Sequence, residues 1–240
     1  MNGIQIDCTG YAVAADWYDG GSTDKILLSL NGYSAKKSNQ VDLVSSIVAG
    51  TGMSALVFDY SGHGESPFRL EDTRPAQHFL EVIYVFDWLH EKYPEAEITV
   101  MGTSYGGFLA TQLTKYRVFA NLILRAPAIY KPSDFYTTWR DIDRDWTRNV
   151  FRKDVEALMN HPLLARASRF AGRTFVMIHE HDEYVPAETT DAFIKTFSAN
   201  TYLAEGFWHA LSDPRNPKDK FSDYQKAISN WINHSDTSNN

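Results

Sequence analysis

The sequence predicts an α/β protein with a mostly parallel central sheet of about eight strands and helices on both faces. Short apolar runs alternate with longer amphipathic stretches, which is the order of successive βαβ units. Several of these runs are continuously apolar, as in strands buried on both faces. The chain has 240 residues, of which 43% are hydrophobic. That length favours one domain, residues 1–240, with a large buried core.

Strands are predicted where apolar runs of strand length end at glycine, proline, asparagine or aspartate. The run 25–30 is continuously apolar after its lysine, and Asn31-Gly32 ends it. The predicted strands are 4–7, 11–18, 25–30, 54–59, 98–101, 122–125, 174–178 and 201–204.

Helices are predicted from amphipathic stretches bounded by capping and breaking residues. Gly50 and Gly52 stop the first helix. Pro75 suits the first turn of a long second helix, and Pro94 closes it. The predicted helices are 39–49, about 74–93, one that begins after Ser104, about 188–197, and about 220–232.

Residues 129–170 interrupt the alternation of strands and helices. This stretch mixes several aromatic residues with many charges. We predict a small helical insertion, a lid within the single domain. Its aromatic side chains either line a pocket or pack the lid onto the sheet, and both interpretations stay open. Its charged run is expected to be a solvated face with ion pairs, formed by Asp141, Asp143, Arg144, Asp145 and Arg148.

Composition narrows the classes of function. The net charge of −7 argues against nucleic acid as a partner, because phosphate binding needs a basic surface. The single cysteine, Cys8, excludes an internal disulfide and fits a reducing compartment. Neither a signal peptide nor a membrane span is expected, so a cytoplasmic location is predicted. The polar tail, residues 234–240, is expected to fray.

The segment Gly102-Thr103-Ser104-Tyr105-Gly106 lies between a predicted strand and a predicted helix. A G-x-S-x-G pattern in that context is a nucleophile elbow. The chain turns sharply, with Ser104 in a strained conformation. Side chains at 102 and 106 would collide with neighbouring backbone, so glycine is required there. Ser104 is therefore the predicted nucleophile.

A serine hydroxyl needs a base, and the base needs an acid that orients it. His209 follows the last predicted strand, at the carboxyl edge of the sheet where ligands bind in this architecture. Asp182 follows the strand 174–178 at the same edge. The chain order is then Ser, Asp, His, as in the α/β-hydrolase arrangement. Glu180 and Glu183 remain rival acids.

An oxyanion formed during acyl transfer needs backbone N–H donors. One is expected from Tyr105, the residue after the nucleophile. The other is expected from Tyr33, in the loop after strand 25–30, because Gly32 lets the chain approach closely. A simple Asn-Gly turn is the alternative for that loop.

Four segments resemble the serine-hydrolase branch of the α/β-hydrolase superfamily, near its monoacylglycerol-lipase-like, feruloyl-esterase-like and serine-aminopeptidase-like members. The resemblance implies the α/β-hydrolase fold and the roles already given to Ser104, Asp182 and His209. Two departures stand out, because the family usually has His-Gly at 31–32 and often has histidine at 103. The segments are Leu30-Asn31-Gly32-Tyr33, Phe58 to Ser66, Gly102 to Gly107, and Asp182 to Pro186 with Trp208-His209.

The predicted function is hydrolysis of a carboxylic ester through an acyl-enzyme on Ser104. The substrate is a small molecule, and neither a cofactor nor a metal is required. A thioesterase or an aminopeptidase-like amidase of the same fold is the nearest alternative. The sequence does not give the oligomeric state.

Two alternatives come from other classes of protein. His179 and His181 lie at i and i+2 beside Asp182 and Glu183, which is compatible with a metal-dependent hydrolase. A non-catalytic binding protein could also retain the fold, because fold does not imply function. A chelator and an activity-based serine probe, respectively, would distinguish them from a serine hydrolase.

Overall fold

The computed structural model describes residues 1–234, which form one eight-stranded sheet flanked by helices. The order of strands across the sheet is β1-β2-β4-β3-β5-β6-β7-β8. The predicted fold class is confirmed, and each predicted strand is present with boundaries shifted by three residues or fewer. The strands are β1 Asn2–Asp7, β2 Ala12–Tyr18, β3 Ser22–Leu30, β4 Met53–Phe58, β5 Glu97–Thr103, β6 Asn121–Arg125, β7 Arg173–His179 and β8 Asn200–Ala204.

The sheet is parallel from β4 to β8, and its first two strands are antiparallel to their neighbours. Thr9 and Gly10 join β1 to β2 with positive φ angles of 58° and 103°, so a tight turn reverses the chain there. The central strands carry the longest apolar runs, and all six residues of β4 are buried. Because β3, β5 and β6 run parallel, their carboxyl ends meet at one edge of the sheet.

Helices cover both faces of this sheet and enclose two apolar cores. One face holds the core beneath the first and last helices, with Val44, Ile47, Tyr224 and Ile228 buried against the strands. The larger core lies on the other face and includes buried residues of five further helices. The helices are α1 Val41–Thr51, α2 Pro75–Lys92, α3 Tyr105–Leu113, α4 Arg144–Asn149, α5 Val155–Met159, α6 Pro162–Ala167, α7 Ala187–Phe197 and α8 Phe221–Asn233.

Residues 129–170, called the cap segment below, contain α4, α5, α6 and two short 3-10 turns between β6 and β7. Trp139 is 3% exposed and anchors this segment, with its ring centroid 4.5 Å from that of Tyr33 and 5.0 Å from that of Tyr105. His161 fixes the far end. Its Nε2–H donates to the Tyr130 carbonyl at 2.9 Å, and its Nδ1 accepts from the Leu163 amide at 3.2 Å.

No helix within residues 1–234 is long and apolar enough to cross a membrane. The predicted fraying concerned residues 234–240, and all of these except His234 lie outside the described residues.

Candidate active site

Ser104 stands at the sharp turn between β5 and α3. Its φ of 52° and ψ of −111° place a non-glycine residue in the strained conformation that the sequence predicts. A Cβ at Gly102 would lie 2.4 Å from the carbonyl oxygen of Gly106. A Cβ at Gly106 would lie 2.2 Å from the carbonyl oxygen of Leu30. Both glycines are therefore required by backbone contacts, as the sequence predicts.

Three side chains from separate loops form one hydrogen-bonded chain above this turn. His209 Nε2 lies 2.9 Å from Ser104 Oγ. His209 Nδ1 lies 2.7 Å from Asp182 Oδ2. The other carboxylate oxygen, Oδ1, accepts the amide N–H groups of Tyr184 and Val185, each at 2.8 Å. A carboxylate held in this way can orient an imidazole, which in turn can take the proton of a serine hydroxyl.

The two rival acids point elsewhere. Glu180 accepts the amide N–H of Gly206 at 2.7 Å, and Glu183 pairs with Arg215 at 3.3 Å. Of the three carboxylates considered for this role, Asp182 is the one hydrogen-bonded to His209.

The loop that contains Tyr33 runs directly beside Ser104. A Cβ at Gly32 would lie 3.7 Å from Ser104 Cβ, which is ordinary contact distance. Tyr105 is the first residue of α3, and the first N–H groups of a helix have no acceptor within the helix. The structure thus places both predicted donor residues at Ser104, and their role as oxyanion donors stays a prediction.

His63 supports the loop after β3. Its Nε2 accepts the amide N–H of Ser34 at 3.1 Å, so Nδ1 carries the proton and donates to the carbonyl of Ser61 at 3.2 Å. Burial lowers the pKa of His63, which keeps the ring neutral and able to accept. His63 therefore positions the chain next to Tyr33.

Tyr105 is held from below by a second neutral histidine. His78 is fully buried; its Nε2–H donates to the Ser61 carbonyl at 2.9 Å, and its Nδ1 accepts the Tyr105 hydroxyl at 2.9 Å. Burial holds the pKa of His78 well below its usual range. No motif in the sequence points to this pair.

The two departures from the family pattern have defined partners. Asn31 is fully buried and donates from Nδ2 to the carbonyl of Phe58 at 2.7 Å, which ties the loop after β3 to the end of β4. Thr103 accepts from Nη1 of Arg125 at 2.8 Å. The residue before Ser104 is thereby joined to the neighbouring strand.

A buried relay continues from Arg125 and was not found from the sequence. Arg125 Nε donates to the Tyr224 hydroxyl at 2.7 Å, and that hydroxyl lies 2.9 Å from His179 Nε2. His179 Nδ1–H then donates to the carbonyl of Trp208 at 2.9 Å. Burial, with the nearby charge of Arg125, lowers the pKa of His179 to about 4. The neutral ring therefore ties the loop that carries His209 to β6.

One signal in the sequence could have indicated this relay. Arg125 ends an otherwise apolar run, and an arginine is rarely buried without a partner. Its partners come from β5 and α8, and Tyr224 is 99 residues away along the chain. Only the folded topology brings them together.

His179 and His181 do not form a metal site. Both ring nitrogens of His179 are hydrogen-bonded to protein groups. His181 lies at the surface near Glu180, at 4.0 Å. Within residues 1–234 there is no cluster of three or more histidine, cysteine, aspartate or glutamate side chains arranged to hold a metal.

A cavity of about 680 Å³ opens above Ser104. One wall is the rim of the sheet, with the loop after β3, Ser104 and His209. The cap segment contributes further lining residues, and the loop that follows Asp182 contributes Tyr184. Arg144 and Arg148 border this cavity, which differs from the fully solvated face expected for them. The ion pair expected in that run does form, between Arg148 and Asp145 at 3.0 Å.

Comparison with known proteins identifies the family of the chain. Residues 21–155 match the family described as serine aminopeptidase, S33. The chain is 32% identical over 220 residues to the proline iminopeptidase PfmaB of Pestalotiopsis fici, covering 85% of this chain and 69% of that protein.

Two solved esterases have the same fold. Est1E from Butyrivibrio proteoclasticus, solved with ferulic acid bound, superposes with a TM-score of 0.74 at 15% identity, over 96% of this chain and 98% of that one. The esterase Pf2001 of Pyrococcus furiosus superposes with a TM-score of 0.72 at 20% identity, over 97% and 91% of the two chains. From its sequence match and its architecture, the chain belongs to the serine aminopeptidase S33 family of α/β-fold hydrolases.

Proposed function

We propose that the protein is a serine esterase that cleaves small carboxylic esters through an acyl-enzyme on Ser104. The observation that carries the proposal is the continuous chain from Ser104 Oγ through His209 to Asp182, with separations of 2.9 Å and 2.7 Å. Those separations lie within the range required for proton transfer from a nucleophile to its base.

In the proposed mechanism, Ser104 Oγ attacks the ester carbonyl while His209 Nε2 takes its proton. Asp182 accepts a hydrogen bond from Nδ1–H and stabilises the imidazolium that forms. The N–H groups of Tyr105 and Tyr33 receive the oxyanion; losing one such donor typically costs about 3 kcal/mol of barrier. His209 returns the proton to the departing alcohol, and water then releases the acid by the same steps in reverse order.

The cap segment is proposed to act as a lid over this reaction. It lines the same cavity as Ser104, and Tyr130 and Arg152 are its buried contributions to the lining. Enclosure removes water from the site and strengthens the electrostatic stabilisation of the oxyanion. In this proposal the chemistry comes from the sheet and the selection of the substrate comes from the cap segment.

Peptidase activity is the second candidate, because a relative at 32% identity is named a proline iminopeptidase. An enzyme that removes N-terminal residues must bind a free ammonium group, for which carboxylates are the natural partners. The cavity offers Asp145 as its one acidic lining side chain, and Asp145 is paired with Arg148. Four arginines line the same cavity. This charge favours an ester over a substrate with a free amine.

The test compares wild type with Ser104→Ala on p-nitrophenyl esters of graded chain length and on prolyl and other aminoacyl p-nitroanilides. We expect ester hydrolysis in wild type and a fall in kcat of about 10³-fold or more in the variant. A fluorophosphonate probe should label wild type and leave the variant unlabelled.

Each alternative makes a different prediction in that test. Cleavage of the anilides but not the esters would assign the peptidase activity. Ester hydrolysis that survives Ser104→Ala would contradict the proposed nucleophile. A folded wild type that neither reacts with the probe nor cleaves any substrate would favour a binding protein.

A further inference from the structure

The cavity above Ser104 has a charge opposite to that of the whole protein. Four arginines line it, namely Arg125, Arg144, Arg148 and Arg152, against the single acidic lining residue Asp145. The chain as a whole has a net charge of −7. The cap segment contributes to this contrast, because residues 129–170 contain eight lysines and arginines against six aspartates and glutamates. A local excess of one sign in a cleft raises the concentration of ligands of the opposite sign.

Two of these arginines are buried with neutral partners. Arg125 is 2% exposed and donates to the hydroxyls of Tyr224 and Thr103. Arg152 is 6% exposed and donates to the carbonyls of Ile129 and Tyr184, at 3.1 Å and 2.8 Å. Neither guanidinium forms an ion pair with a carboxylate of residues 1–234.

Burial of a charge without an opposite charge is costly, and removal of a partner from a buried ion pair typically destabilises by several kcal/mol. Two such cations beside one cavity are therefore unusual. An anion bound in the cavity would compensate for the positive charge of these two arginines.

The other two arginines are less buried and are held by aromatic rings. Arg144 Cζ lies 4.5 Å from the centroid of the Tyr33 ring, and Arg148 Cζ lies 5.2 Å from that of Tyr184. Cation–π contacts of this kind fix the plane of the guanidinium. Arg148 also donates from Nη2 to Asp145 Oδ1 at 3.0 Å. Arg144 forms no ion pair among the described residues.

The geometry points to a substrate that carries a carboxylate in addition to the ester that is cleaved, such as the half-ester of a dicarboxylic acid or the ester of a hydroxy acid. Arginine is suited to this recognition, because its planar donors match the two oxygens of a carboxylate. The inference rests on the proposed esterase activity and specifies its substrate class.

Matched ester pairs test it and also locate the charge. On the acyl side, 4-nitrophenyl hydrogen adipate is compared with 4-nitrophenyl hexanoate, in which a methyl group replaces the carboxylate. On the alcohol side, 4-acetoxybenzoate is compared with methyl 4-acetoxybenzoate. In one of the two comparisons, the charged ester should have a kcat/KM about tenfold higher than that of its neutral partner. A hydrogen bond between charged groups supports a ratio of this size. The preference should shrink as NaCl is raised, because salt screens exposed charges.

A pair of variants separates the pocket from general surface charge. Arg144→Gln should reduce the preference for the charged ester severalfold, measured as the ratio of kcat/KM for the charged ester to kcat/KM for its neutral partner. Arg169→Gln removes the same charge from an exposed position of the cap segment that does not line the cavity. This control should keep the full preference.

Binding to Ser104→Ala provides a readout that is independent of turnover. Isothermal titration calorimetry should show adipate binding about tenfold more tightly than adipamide, its neutral analogue. Adipate binding without hydrolysis of any ester would leave the charge inference intact and overturn the esterase proposal. Ester hydrolysis with neutral substrates equal or preferred in both arms, and adipate no tighter than adipamide, would overturn the charge inference alone.

Discussion

The rim of the sheet and the cap segment are stabilised in different ways. At the rim, backbone packing decides the geometry: Gly102 and Gly106 permit contacts that no side chain could accept, and Ser104 is held in a strained conformation. In the cap segment, contacts of individual side chains fix the geometry, such as that of Trp139, which is buried against Tyr33. The helices there have five or six residues each, too short to be stable by themselves.

This difference suits the rim to carrying the reacting groups and the cap segment to selecting the substrate. A reacting group must be held to within a fraction of an ångström, which a closely packed strand–turn–helix provides. A lining that selects substrates can tolerate looser positioning and can change one side chain at a time. If this division is correct, substitutions at the rim should abolish turnover of every ester, whereas those in the cap segment should change which ester is preferred.

Gly106→Ala is expected to have the largest effect, because it disrupts the backbone packing at the rim of the sheet. The added methyl would lie 2.2 Å from the carbonyl oxygen of Leu30, so β3 or α3 must shift. We expect a loss of about 3 kcal/mol or more in the free energy of unfolding, with turnover of charged and neutral esters lost together. Gly32→Ala is the control, because its methyl would meet Ser104 Cβ at 3.7 Å. Urea unfolding measures both, and equal stabilities would contradict the packing argument.

Tyr224→Phe tests the relay that joins the two sides of the rim. The change leaves Arg125 Nε and His179 Nε2 buried without their common partner, which should cost about 2 kcal/mol. Because His179 holds the loop that carries His209, kcat should fall severalfold with KM unchanged. Tyr202→Phe removes a hydroxyl from a neighbouring, less buried ring and should change neither. A purely structural relay would lower stability and leave kcat at the wild-type value.

His179 should also make stability depend on pH. Its pKa is about 4 in the folded protein, against an ordinary value of 6.5. Between those values the unfolded chain binds a proton that the native ring does not, so stability falls as the pH falls from 6.5 towards 4. The contribution between pH 7 and pH 5 is about 2 kcal/mol.

Urea unfolding at pH 7 and at pH 5 gives the change in the free energy of unfolding between the two pH values. In the variant His179→Gln this change should be smaller by the contribution of His179. His63, His78 and His161 also have lowered pKa values and act in the same direction, so some slope remains. The titratable side chains that influence the pKa of His179, namely Arg125, Asp182 and His209, are unchanged in the variant. Identical slopes in the two proteins would contradict the relay as described.

The sequence was sufficient where local patterns decide the structure. Apolar runs located all eight strands, and the two glycines around Ser104 located the elbow. The order Ser, Asp, His placed three distant residues that the fold brings into one hydrogen-bonded chain.

The sequence was insufficient where contacts join distant elements. The sequence indicates only that Arg125 is the polar end of a strand. The packing of α8 is needed to show that Arg125 donates a hydrogen bond to the hydroxyl of Tyr224. Arg144 and Arg148 read as surface charges, because periodicity does not reveal that α4 borders the cavity. The antiparallel start of the sheet likewise depends on a turn at Thr9 and Gly10 rather than on the composition of the strands.

Substitution of two N-cap residues is expected to have the smallest effect. It separates the stability of the cap segment from its selection of the substrate. Asp143 and Asp154 are both N-cap residues, and their side chains accept from the amides of Trp146 and Ala157 at 2.9 Å and 3.0 Å. Either change to alanine should cost about 1 kcal/mol in urea unfolding.

Only the helix after Asp143 carries Arg144 and Arg148, so Asp143→Ala should weaken the preference for the charged ester, whereas Asp154→Ala should preserve it. Asp143→Ser keeps a capping oxygen without the charge and should restore the preference. Failure of the serine to do so would mean that the charge of Asp143, and not the order of α4, tunes the pocket. Equal preferences in all three variants would show that the arginines of α4 do not select the substrate.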